Sequence, residues 1–181
     1  GIYISGTTAP WGEMLIDTVI IEEGVTSVGD YAFAYTEEVK QVSLPETLTY
    51  LGIEAFYRCG MTEVDLPDAL STIESNAFLS CDSLRRVKLP AGLRRIPMGM
   101  FQRCSALRDI TLPESVETVE EYAFAGCTSL EELRIPAALT DFREYAFEYN
   151  PAVKLILAEK GGEAEAYCVR HHITYSYAEN E

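Results

Sequence analysis

The sequence predicts a mainly β repeat solenoid, with one parallel strand and one tight turn in each coil. Three observations carry this. A Phe recurs at Phe33, Phe56, Phe78, Phe101, Phe124 and Phe147. A Pro closes a short apolar run at Pro45, Pro67, Pro90, Pro113 and Pro136. Both series advance by 22 or 23 residues, a period at which one supersecondary unit repeats and buries its apolar side against the next. The 181 residues make about eight such coils. One solenoid domain over 1–181 then divides into an N-terminal cap (1–18), repeats (19–157) and a C-terminal cap with tail (158–181).

The elements follow in order. Residues 1–18 hold the single Trp, Trp11, expected to lid the open end of the core because solenoid termini need atypical caps. The first coil keeps a strand without a turn motif: Ile16, Val19 and Ile21 occupy the positions of Val39, Val42 and Leu44 one period on. Later strands read apolar-x-x-apolar-x-apolar-Pro, as in VKQVSLP from Val39, MTEVDLP from Met61, LRRVKLP from Leu84, LRDITLP from Leu107 and LEELRIP from Leu130. Alternation turns Val87 and Leu89 inward and Arg86 and Lys88 outward. Pro has no N–H to give a ladder, so it marks where pairing stops. Each strand follows its predecessor in the same direction, which stacks them in parallel. A one-residue deletion after Cys59 accounts for the 22-residue step there.

Past each Pro comes a second apolar pair, such as Leu48/Leu51 or Val116/Val119, and then an Ala-Phe turn. That turn is too short for a helix and is expected to be a short turn or a single 3₁₀ or α turn. Stacked in phase, the Phe rings form an aromatic spine. Cys59, Cys81, Cys104 and Cys127 each stand three residues after a Phe, which reads as a ladder of buried, reduced thiols rather than a disulfide framework. In the last coil, strand 153–157 continues the outward columns with Leu155 and Leu157, expected to lie under the cap or, if uncovered, to form a partner or dimer surface. Ala164, Tyr167, Cys168 and His171 have the i, i+3, i+4, i+7 spacing of a short helix. Residues 173–177 then alternate as a closing strand, ahead of an acidic tail.

Charge and motifs narrow the chemistry. The net charge of −15, from 29 acids against 14 bases, disfavours nucleic acid and anionic membrane, which need a positive footprint. No apolar run approaches the roughly 18 residues of a membrane span. The first residue is Gly instead of Met, the mark of a trimmed chain, so a missing leader says nothing about export. The adjacent His171 and His172 near Cys168 lack the second ligand pair of a zinc site. No nucleophile, base and orienting group converge, and no phosphate-cradling loop is present, so neither an enzyme nor a cofactor is expected.

The pattern L-x-x-V-x-L/I-P-x-x-L/V-x-x-I/V-x-x-x-A-F-x-x-C-x-x-L, running from Ile16 to about Leu157 with the ending GEAEAYCVRHHITY, resembles the BspA-type leucine-rich repeat. Local departures are Met100 for Ala, Thr36 and Asn150 for Cys, and Pro97. The resemblance implies a right-handed leucine-rich-repeat solenoid, no catalytic residues, and occurrence on surface or secreted proteins of bacteria and some protozoa, some of them adhesive. It points to a protein- or glycan-binding module. A structural spacer or self-assembly unit, with weak self-association, and an intracellular interaction repeat remain open beside it. Leucine-rich repeats usually bind through the outward strand positions. Here these are Gln41, Glu63, Arg86, Asp109 and Glu132 in one column, and Ser43, Asp65, Lys88, Thr111 and Arg134 in the next. Gln41, Glu63, Asp65, Arg86, Lys88, Asp109 and Arg134 are the candidate contacts. Their alternating signs, Glu63–Arg86–Asp109 and Asp65–Lys88, also suit charge pairs that fix register. Seven bases between Arg85 and Arg108, with no acid among them, are read as a solvated surface spread around the coil.

Overall fold

A computed structural model of the chain describes residues 16–178; Trp11 and its expected lid lie outside them. Strands β1 (Thr18–Ile20), β2 (Ser27–Val28), β3 (Gln41–Ser43), β4 (Tyr50–Leu51), β5 (Glu63–Asp65) and β6 (Thr72–Ile73) come first. Next are β7 (Arg86–Lys88), β8 (Arg95–Ile96), β9 (Asp109–Ile110), β10 (Thr118–Val119), β11 (Glu132–Ile135) and β12 (Asp141–Phe142). The chain closes with β13 (Lys154–Leu157), helix α1 (Glu163–His171) and β14 (Thr174–Tyr177).

Every ladder among these strands is parallel, as required of a chain that returns to the same place once per coil. One row holds β1–β3, β5–β7–β9 and β11–β13–β14; the other holds β2–β4–β6 and β8–β10–β12. The Pro ending each long-row strand accepts a hydrogen bond from the apolar residue three positions on, as in Leu48 N–H to Pro45 O at 3.1 Å and Leu139 N–H to Pro136 O at 3.1 Å. The Pro therefore ends the ladder and starts the bend into the second row. Gly60, at the deletion, lies where a Cβ would come within 1.9 Å of the Glu37 carbonyl oxygen. Shortening the coil draws its backbone against the preceding one, and only glycine fits.

The Ala-Phe segments are successive tight turns rather than a helical turn. Two residues in each take left-handed backbone angles, two before and two after the Phe: Glu54 (φ 51°) and Arg58 (54°), Asn76 (61°) and Ser80 (55°), Gly99 (60°) and Arg103 (62°). These interrupt any helix. They also aim N–H groups across to the next coil, as in Phe78 N–H to Met100 O at 3.0 Å and Ser80 N–H to Gln102 O at 2.8 Å. An L-residue held left-handed costs about 1–2 kcal/mol, against roughly 0.5–1 kcal/mol for the extra freedom glycine loses on folding. The Ser80 side chain makes no hydrogen bond among the described residues. Ser80→Gly should therefore stabilise the fold by about 0.5 kcal/mol, read as a higher urea midpoint at unchanged slope; a lower midpoint would contradict this turn geometry.

The core is the predicted spine. Rings stack from Phe33 to Phe56 (5.3 Å), Phe78 (5.5 Å), Phe101 (5.8 Å), Phe124 (5.5 Å) and Phe147 (5.3 Å), tilted from one another by no more than 24°. The coil spacing of about 4.8 Å sets these separations and forces the offset-parallel arrangement. Helix α1 stops the stack by turning Tyr167 edge-on to Phe147 at 6.3 Å. Tyr167 is 1 % exposed.

Two details differ from expectation at the last coil. Leu155 and Leu157 face inward and are fully buried. The register Glu132↔Lys154 and Leu133↔Leu155 is a step of 22 residues, so Lys154 and Ile156 take the outward positions. The cap does not cover two outward leucines; it seals a core that contains them.

Candidate functional site

The long strand row presents a polar face. Glu63 lies opposite Arg86, Arg86 opposite Asp109, and Asp65 opposite Lys88 in the parallel register. The side chains do not simply pair along those lines. The Arg86 guanidinium forks, its Nε donating to Glu63 at 3.1 Å and its Nη1 reaching Asp65 at 2.9 Å. Those two carboxylates raise its pKa further. The expected Arg86–Asp109 and Asp65–Lys88 pairs do not form. A planar, two-pronged cation can serve a direct and a diagonal neighbour together, which leaves the point charge of Lys88 exposed and without an ion pair among the described residues. A shallow groove of about 600 Å³ opens here, lined by Arg86, Lys88, Asp109, Thr111 and Glu114. Gln41, exposed on β3, and Arg134, exposed on β11, share the face but do not line the groove.

The other bases are dispersed, as expected. Arg94 is paired with Glu117, and Arg95 with Glu120 at 2.7 Å, both on the second strand row. Arg85 and Arg108, on neighbouring coils, have no ion pair among the described residues.

The thiols have a structural duty. Cys81 Sγ–H donates to the Phe56 carbonyl (3.0 Å), Cys104 to Phe78 (3.1 Å) and Cys127 to Phe101 (3.1 Å), one coil back each time. The two departures at this position keep a donor: Asn150 Nδ2 serves Phe124 O at 2.7 Å, and Thr36 Oγ1 serves Phe33 O at 2.7 Å. Burial pushes the Cys59 thiol up to about 11 and Cys127 up to about 12. Thiols held protonated this way are poor nucleophiles at neutral pH.

The two histidines serve the cap differently. His171 stacks on Tyr167 at 4.3 Å, and His172 ends α1 in a left-handed conformation. Among the described residues no three or more His, Cys, Asp or Glu side chains are placed to share a metal ion. A second concavity, not anticipated from the sequence, lies beside them. It encloses about 720 Å³ between the last turn and α1 and is lined by Tyr145, Tyr149, Tyr167, His171 and His172 among others. Its signal in the sequence is a Tyr on each side of Phe147, two residues away.

A parallel solenoid with a polar strand face and a phenylalanine spine defines a leucine-rich-repeat protein. The chain belongs to the BspA-type leucine-rich repeat family, whose family model matches residues 26–154 in six copies. Among solved structures it is similar to a leucine-rich repeat protein from Bacteroides ovatus, at 29 % identity and a TM-score of 0.74 over 77 % of this chain and 36 % of that one. It thus spans about a third of that protein's length. A Treponema pallidum leucine-rich repeat protein shares the fold at 24 % identity and a TM-score of 0.64, over 90 % of this chain and 85 % of the other. A leucine-rich cell surface protein from Faecalibacterium prausnitzii shares it at 21 % identity and 0.50, over 84 % and 62 %. No curated protein matches the chain.

Proposed function

We propose that the chain is a non-enzymatic, adhesive binding module of a cell-surface or secreted bacterial protein, engaging a protein or glycan along its long strand face. The observation that carries this is Lys88: an exposed cation at the groove between two coils, without an ion pair among the described residues while Arg86 takes Glu63 and Asp65. In a chain of net charge −15, an unneutralised base beside a groove is where an acceptor group on a partner gains most. Glu63, Asp65, Arg86 and Asp109 frame that contact, and Gln41 and Arg134 extend it along the face. The rigid ladder supports the reading, because the backbone that carries these side chains is already ordered and only the side chains lose freedom on binding. The description of the Faecalibacterium relative as a cell surface protein supports the location.

The test is binding of the purified chain to an array of host matrix proteins and glycans, beside Lys88→Glu. Saturable binding that falls about tenfold or more in a variant with unchanged circular dichroism is expected. Undiminished binding would remove the groove from the reading, and no binding by either protein would remove the module's adhesive role.

A further inference from the structure

We propose that the notch between the last turn and helix α1 is a second, separate site, and that it takes a neutral saccharide, with a pyranose ring laid on Tyr149. Three observations meet there. First, Tyr145 and Tyr149 are both held left-handed, at φ 61° and 59°, a conformation that disfavours side chains with a Cβ. Equivalent positions in other coils carry Asn76, Ser80, Gly99 and Gly126, but also Tyr31, Tyr35, Glu54, Arg58, Arg103 and Tyr122, so each bulky residue bears the cost and its surroundings decide what offsets it.

Second, burial does not repay that cost. Tyr149 is 75 % exposed and makes no ring contact among the described residues. Tyr35, at the same repeat position in an early coil, differs: it packs edge-on to Tyr57 at 4.9 Å, with the Arg58 guanidinium 5.8 Å from its ring centre. Tyr145 stacks on Tyr122 at 5.3 Å and is 41 % exposed. Of the two left-handed tyrosines in the notch, one is therefore braced by its neighbour and the other is bare.

Third, hydrogen-bonding groups of both kinds line the notch with the bare ring. Glu148, His172, Thr128 and Thr174 line the notch, and so does Asn150. The Asn150 amide nitrogen is engaged with Phe124 O at 2.7 Å, while its Oδ1 is buried with no partner among the described residues. That acceptor is closed off, so a ligand's hydroxyls would meet Glu148 and the exposed His172, Thr128 and Thr174.

A flat aromatic face ringed by donors and acceptors matches a ligand with an apolar ring face and hydroxyls around its edge. A purely apolar ligand would leave the polar rim unsatisfied. No Lys or Arg lines the notch, and Glu148 repels anions, so an acidic sugar is selected against. The volume of about 720 Å³ is that of an ordinary small-ligand site.

Saturation-transfer NMR with the intact chain tests this. The probes are methyl α- and β-glycosides of glucose, galactose, mannose and N-acetylglucosamine, together with lactose and sialyllactose, each at millimolar concentration. At least one neutral sugar should receive saturation on its ring-face protons. Tyr149→Ala should weaken that binding about tenfold, while Tyr35→Ala and Lys88→Glu leave it unchanged; sialyllactose should bind less well than lactose. Tyr149 is exposed enough for its removal to spare the fold, which an unchanged urea midpoint verifies. The proposal is overturned if no neutral sugar is saturated, if Tyr149→Ala binds as the parent does, or if the sialylated sugar is preferred.

Discussion

Phe101→Ala is expected to cost about 3–5 kcal/mol, a large part of what holds a domain of this size together. The ring is fully buried and stacked between Phe78 at 5.8 Å and Phe124 at 5.5 Å. Removing it opens a cavity that the coils cannot collapse to fill, because hydrogen-bonded turns fix the Phe on either side: Phe78 N–H to Met100 O at 3.0 Å, and Phe124 N–H to Ala146 O at 2.8 Å. Phe33 supplies the comparison. It is only partly buried near the start of the stack, so Phe33→Ala should cost less than half as much. In an array whose coils contact only neighbours, the central loss also uncouples the two halves. Urea unfolding checks both variants. An unfolding free energy for Phe101→Ala within about 1 kcal/mol of the parent would mean that the spine is not what holds the array together.

Alkali should unfold the protein well before arginine or backbone chemistry intervenes. All five thiols are buried, and burial raises each above its ordinary 9.0: Cys59 and Cys168 to about 11, Cys127 to about 12, Cys104 upward and Cys81 well upward. Below pH 9 folded and unfolded chains both hold these protons and stability does not depend on them. Above it the unfolded chain releases protons that the fold retains, so stability falls as pH rises, until the folded-state values near 11 and 12 are passed. The loss is roughly 1.4 kcal/mol per thiol per pH unit. Cys59 and Cys127 alone withdraw on the order of 5 kcal/mol by pH 11, about the whole stability of a marginal domain. Urea midpoints under reducing conditions between pH 7 and pH 11 measure this. A midpoint that stays level to pH 11 would show that the thiols are not sealed in the core.

Much of this architecture is legible in the residues because each coil repeats its own punctuation. Pro67 marks the end of a strand, Phe78 a place in the spine, and Cys81 the donor to a carbonyl one coil back. Where the punctuation lapses, register is lost. The last coil has Asn150 in place of Cys and no Pro after its strand, so a step of 22 residues passes for 23 and turns Leu155 and Leu157 the wrong way. The alternation of Val153, Leu155 and Leu157 held the correct phase all along. The strand-face charges are a different case. Column order gives Asp65 opposite Lys88, and only the fork of the Arg86 side chain decides that Asp65 goes elsewhere. Left-handed residues such as Glu54 and Tyr145 are equally hidden, because neither residue type advertises that conformation. The cap notch combines both difficulties, since it joins Tyr149 to His172 across a helix whose docking no repeat dictates.

The stacking of parallel strands has a mechanical consequence. A load drawn along the stack pulls across the ladders and bears on every interface in series, but an end coil is held on one side only, so its hydrogen bonds open first. Each coil of 22 or 23 residues adds about 4.8 Å to the folded length and yields about 75 Å of chain once peeled away. Under tension the array lengthens coil by coil, roughly fifteenfold per unit released, while coils still folded keep their strand face in place. A tether of this design absorbs a sudden pull without surrendering the rest of its surface.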